Sequence, residues 1–86
     1  MSYIETFLKD RNEAFIKAVM EDDWKAVRKY CKKYNIPVPS SHKVFKAGIY
    51  KAVQGCTDIS EEVKGIAFKK CLELGLSPLI NYEVEK

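Results

Sequence analysis

Three cysteines and one histidine, Cys31, His42, Cys56 and Cys71, are the residue types here that could hold a zinc ion. Their spacing argues against it. Successive members of the series lie ten or more residues apart, whereas zinc fingers and knuckles pair their ligands across a gap of about two to four. Cys31 and Cys71 also fall on the apolar faces of helical patterns. An odd, dispersed set of cysteines without a secretion signal is not a disulfide framework. The reading is therefore free thiols packed as small apolar groups, with no metal and no cofactor.

Nucleophilic catalysis needs a nucleophile, a base and a group that orients the base. His42 follows Ser40 and Ser41 at a helix start, and neighbours within a cap seldom face one another as a reacting pair. Asp22, Asp23, Glu61 and Glu62 sit where acids complement helix dipoles, not where two carboxylates converge. A glycine-rich phosphate loop is also missing. No enzyme is expected.

The charged side chains are more informative. From Trp24 to Thr57 there is no Asp or Glu, yet this window holds eight of the fifteen Lys and Arg residues. Lys25, Arg28, Lys29, Lys32 and Lys33 recur at i, i+3, i+4, i+7 and i+8, one stripe of a helix. Lys43, Lys46 and Lys51 add charge further on, with Tyr50 among them. Such a face attracts phosphates or the carboxylates of an acidic protein. The simpler alternative is a solvated face, because acids before a helix and lysines along its later turns suit the macrodipole.

The elements that must position this stripe follow from periodicity and caps. Ser2 and Glu5 have capping-box spacing. Ile4, Phe7, Leu8, Ala14, Phe15, Ala18 and Val19 then recur at helical intervals. Asp22 or Asp23 caps a second helix whose apolar face is Trp24, Val27, Tyr30, Cys31 and Tyr34. Asn35 is a left-handed terminator, and Ile36 before Pro37 avoids the helical region. The stretch IPVP is an extended linker, with Ile36 and Val38 expected to pin it to the core. It is longer and stiffer than the turn of a helix-turn-helix motif.

Ser40 or Ser41 caps a third helix with Val44, Phe45, Gly48, Ile49, Ala52 and Val53 on one face. Gly48 there implies the close approach of another helix, which would offset its cost of about 1 kcal/mol. Gly55 ends this helix. Ser60 caps a fourth, faced by Val63, Ile66, Ala67, Cys71, Leu72 and Leu74 and closed by Gly75. The tail alternates, Ile80, Tyr82 and Val84 against polar neighbours, an extended segment suited to self-association.

Four segments, RNEAF (Arg11 to Phe15), YCKKYNIPVP (Tyr30 to Pro39), VFKAGIYKAV (Val44 to Val53) and GLSPLI (Gly75 to Ile80), resemble a group of small proteins encoded in phages and prophages of Gram-positive bacteria. The shared pattern is a short helix ending in glycine or asparagine, Ile-Pro-x-Pro, an Ala-Gly helix and a C-terminal Gly-x-Ser/Lys-Pro. The chain departs from it at Lys46 and Tyr50, where the group carries a tryptophan and a histidine. The resemblance implies origin more than activity.

An 86-residue chain with 47 % hydrophobic and 31 % charged residues is expected to be one globular domain. It buries roughly 60–65 % of its unfolded surface, enough for marginal stability alone. No apolar run approaches the roughly 20 residues of a membrane span. The start, MSYIETFLKD, lacks a signal-peptide pattern, so a cytoplasmic location is expected. The reading is an all-α domain over residues 1–86, a small bundle of four helices near 3–20, 23–34, 42–54 and 61–74 with an extended C-terminal tail. Its expected function is a non-enzymatic accessory protein of phage or prophage type. It binds a protein partner, acidic if the stripe is used, or itself; the alternative is nucleic-acid binding through Lys25, Arg28, Lys29, Lys32, Lys33, Lys46 and Tyr50. A metal chelator is expected to leave the melting temperature unchanged, and a chelator-dependent shift in a thermal melt would restore the zinc reading.

Overall fold

Side chains that accept hydrogen bonds from free amides set the helix starts in the computed structural model, which describes residues 2–75. Helix α1 spans Tyr3–Glu21, α2 Trp24–Lys33, α3 His42–Gln54 and α4 Glu61–Glu73. The described residues contain four helices and no strand, an all-α fold. At Ser2 the capping box forms in full: the Glu5 amide donates to Ser2 Oγ at 3.1 Å, and the Ser2 amide donates to Glu5 Oε1 at 2.9 Å. Ser41 accepts from the Val44 amide and Ser60 from the Val63 amide, each at 3.3 Å.

The Asp22-Asp23 pair divides two tasks. Asp22 takes a left-handed backbone, φ 56°, and its amide returns to the Ala18 carbonyl, closing α1. Aspartate tolerates that region better than most residues with a Cβ. Asp23 then accepts from the Ala26 amide at 3.2 Å and opens α2. Helix α2 ends as its sequence predicts. Asn35 is left-handed, φ 55°, and the Ile36 amide reaches back to the Cys31 carbonyl at 2.8 Å. At the end of α4 Gly75 has φ 82° and its amide donates to the Leu72 carbonyl.

The chain divides into two compact units at the proline-rich linker, Met1–Val38 and Pro39–Lys86. In the first, α1 packs on α2. Ala14, Phe15, Ala18 and Val19 from α1 are buried, as are Trp24, Val27, Tyr30 and Cys31 from α2. The Tyr30 ring lies 5.7 Å from Phe7 and 5.9 Å from Phe15. Phe7 meets Tyr34 edge-on at 4.8 Å. Aromatic pairs in this range add about 0.5–1.5 kcal/mol beyond the area they bury.

In the second unit α3 packs on α4. Among its described residues, Phe45, Ala47, Tyr50 and Val53 from α3, Val63, Ala67 and Cys71 from α4, and Cys56 and Ile59 from the connection are buried. Gln54 links the helices. Its Nε2 donates to the Lys64 carbonyl on α4 at 2.9 Å and to the Tyr50 carbonyl at 3.3 Å.

Several expected core positions are on the surface. Ile4 is 67 % and Leu72 52 % exposed; Ile36 and Val38 are also exposed, so they do not pin the linker. Ile4 lies in the first turn of α1, where few residues surround it. The buried face of α3 is turned relative to the expected one. Ala47 and Tyr50 take the places expected of Gly48 and Ala52, and Ala52 faces outward. The two stripes overlap at Phe45 and Val53, and burying the Tyr50 ring removes far more apolar area from water than burying a glycine or an alanine.

Gly48 is likewise not a point of close approach among the described residues, since a Cβ built there meets none of them within 4 Å. Gly48→Ala is therefore expected to stabilise the protein by about 0.5–1 kcal/mol through helix propensity. That corresponds to a melting temperature higher by roughly 2–8 °C for a chain of this size. A lower melting temperature would show that a group does close on that face.

Candidate functional site

Helix α2 is short, and one face of it is fully committed to packing. Trp24, Val27, Tyr30 and Cys31 point inward. The intervening positions, Lys25, Arg28, Lys29, Lys32 and Lys33, are consequently all exposed. Asp23 contributes here as the N-cap, which leaves α2 itself with no acid. The predicted basic stripe is thus a continuous outward face of one helix.

Lys33 differs from the rest. Its Nζ lies 2.7 Å from Asp10 Oδ2 on α1, and the Tyr34 hydroxyl donates to the same oxygen at 2.7 Å. The ammonium also stands 5.3 Å from the centre of the Tyr34 ring. The hydrogen bond from Lys33, then that from Tyr34, holds the Asp10 carboxyl below its ordinary value. The Asp10 partner in turn raises Lys33 and Tyr34 above theirs. Lys33 belongs to an inter-helix tie, whereas Lys25, Lys29 and Lys32 carry their charge outward beside the exposed Arg28. Among the described residues Lys25, Lys29 and Lys32 make no ion pair.

Beside the stripe, α1 and α2 enclose a shallow groove of about 340 Å³, open to solvent. Ala14, Ala26 and Tyr30 line its base, with Glu13, Lys17 and Lys29 at its edges and the Asp10–Lys33 pair at one end. The groove exists because two of the facing residues are alanines. Periodicity does not expose it, since Ala14 reads as core and Ala26 lies outside the apolar stripe of α2.

Of the remaining predicted site residues, Lys46 and Tyr50 belong to α3. Lys46 is half-buried on α3, in the other unit. Tyr50 is 2 % exposed and belongs to the core, so its ring is not available to a partner. Ile80, Tyr82 and Val84 lie outside the described residues. His42 is exposed in the first turn of α3, 6.2 Å from the Phe45 ring. All three cysteines are free and buried. Burial pushes the Cys31 and Cys71 thiols up, away from the reactive thiolate. Among the described residues no group of three His, Cys, Asp or Glu side chains is placed to hold a metal ion, and no helix is long and apolar enough to cross a membrane.

Sequence reasoning missed Asp10. It lies 23 residues from Lys33 and 24 from Tyr34, and no local pattern links them. Comparison of the chain with protein-family models, curated proteins and solved structures gives no match.

The tie has a defined pH signature. A carboxylate held below its ordinary value of 3.8 contributes stability above that value and loses it as pH falls through the lowered one. Lys33 and Tyr34, both raised, contribute below 10.5 and 10.0 and lose that contribution as pH rises through their raised values. Asp10→Asn is expected to lower the melting temperature at neutral pH. The gap to the parent protein should close in acid, once the parent carboxyl is protonated. Thermal melts of both proteins across pH check this, and a gap that persists in strong acid would show that the tie is not electrostatic.

Proposed function

We propose that this chain is a non-enzymatic interaction module that holds an acidic protein partner on the basic face of α2. The observation that carries the reading is the outward, acid-free run of Lys25, Arg28, Lys29 and Lys32, separated from Lys33 by the Asp10 tie. Cations at helical spacing along one face match carboxylates on a partner segment, and such complementarity sets encounter rate and register more than raw affinity. The resemblance of its segments to small phage and prophage proteins bears on origin and adds no activity to this reading.

Nucleic acid is the second reading, favoured by the same charge. Against it, most of the aromatic residues of this region are core, and Tyr34 is half-buried. Trp24, Tyr30, Phe45 and Tyr50 are all buried. Single-strand binders add exposed rings on which bases stack to a charged groove. The formal net charge of +3 is also modest for a phosphate-binding surface.

Lys25→Glu, Lys29→Glu and Lys32→Glu combined separates the readings. These positions face solvent, so the helical circular-dichroism spectrum should be retained. Stability should shift by about 0.3–1 kcal/mol per charge at most, through the helix dipole. Binding of a glutamate-rich peptide, followed by fluorescence anisotropy near physiological salt, should be lost in the triple variant. Non-specific nucleic-acid binders have dissociation constants of roughly 10⁻⁴–10⁻⁶ M under such conditions. The parent protein is expected to give no gel shift with DNA or RNA at about 50 µM, inside that range. A clear shift that weakens steeply with salt would replace the protein partner with nucleic acid.

A further inference from the structure

We infer that the α1–α2 groove receives an apolar side chain from an acidic segment of the protein partner. This rests on the reading of the α2 face given above and specifies the occupant. The base of the groove is apolar and built from short side chains. Ala14 and Tyr30 are buried, and Ala26 is half-buried. The space between the helices is about 340 Å³. Ligand pockets for small molecules bury most of their occupant, and this groove is too open to do so. A side chain laid across it from an extended or helical segment covers the apolar base and leaves its own backbone in solvent.

The charges around the groove select the sign of that segment. The Asp10 carboxylate is answered within the protein by Lys33 and Tyr34. Glu13 stands one turn before Lys17 on α1, and Lys29 faces them from α2. With the Asp10–Lys33 pair neutral, these edges carry one more positive than negative charge. The excess continues onto α2 through Lys25 and Lys32. Lys29 belongs to both surfaces, so a segment whose apolar residue enters the groove brings flanking carboxylates to Lys17 and Lys29 on the edges and to the stripe beyond. Apolar contact then supplies affinity, and the carboxylates supply register.

Two synthetic glutamate-rich peptides of equal length and charge test this, one with a central leucine and one with serine there. Amide resonances of the isotopically labelled full chain are followed during titration. The leucine peptide is expected to shift Ala14, Lys17, Ala26, Lys29 and Tyr30 and to bind roughly tenfold more tightly than the serine peptide, as partial burial of a leucine predicts. Ala26→Phe, which fills the groove, should remove that difference while both peptides still perturb Lys25, Arg28 and Lys32. The peptide comparison on the parent chain decides the matter even if Ala26→Phe does not fold. Equal affinities, with shifts confined to Lys25, Arg28 and Lys32, would overturn the groove and leave the charge reading standing. No shift with either peptide at millimolar concentration, or stronger shifts with duplex DNA, would overturn both.

Discussion

Tyr30 is the contact on which the first unit depends. Its ring lies against Phe7 and Phe15 of α1 and 5.3 Å from Tyr34 of its own helix. One buried ring thereby fixes both the distance between α1 and α2 and the rotation of α2 about its axis. Once Tyr30 points inward, Val27 three residues before it follows, and so does Cys31 four residues after Val27, because residues three and four apart share a helix face. The lysines between them must then face water. A ten-residue helix has little intrinsic stability of its own, so the basic face exists as an ordered surface only because the opposite face is packed.

The same geometry decides how much of the positive charge is available. Asp10 sits on α1 within reach of the last turn of α2, where it collects an ammonium and a phenol on a single oxygen. This neutralises one end of the stripe and closes one end of the groove. It also gives the pairing of the two helices a polar check on register. Slipping α2 along α1 would separate Asp10 from both partners, although the apolar contacts alone could tolerate some displacement. The interaction reading draws on this asymmetry, a neutral end followed by the exposed cations of α2.

The second unit is held differently. Its connection contributes to the core, because Cys56 and Ile59 are buried between the two helices of the chain order. The Cys56 thiol also stands 3.3 Å from the Ala52 carbonyl. Gln54 spends its amide donors on two backbone carbonyls, one on each helix. A carbonyl already bonded within a helix retains a second lone pair, so this link does not disrupt α4. Gly48 and Gly65 add no such contact, since neither has a neighbour among the described residues within 4 Å of a Cβ position.

Much of the architecture is legible in the residues themselves. Ser2, Asp23, Ser41 and Ser60 cap because their short oxygens reach an amide three residues on. Asn35 and Gly75 terminate because they accept a left-handed backbone. These are local effects, complete within a few residues, so they survive without tertiary context, and the basic stripe of α2 follows from them by counting. Only the packed structure decided the rest. The rotation of α3 depended on whether Tyr50 or Ala52 turned inward, and two overlapping apolar stripes left that open until α4 was in place. The exposure of Ile4, Ile36, Val38 and Leu72 depended on what surrounds each of them, which their hydrophobicity does not encode. Asp10 joined Lys33 and Tyr34 across more than twenty residues of sequence, and the groove arose where Ala14 and Ala26 happen to line the same space. Contacts between distant residues carry no periodic signature, so the site's charge was written in the sequence, while its partition, its boundary and its apolar base came from the packing of α1 on α2.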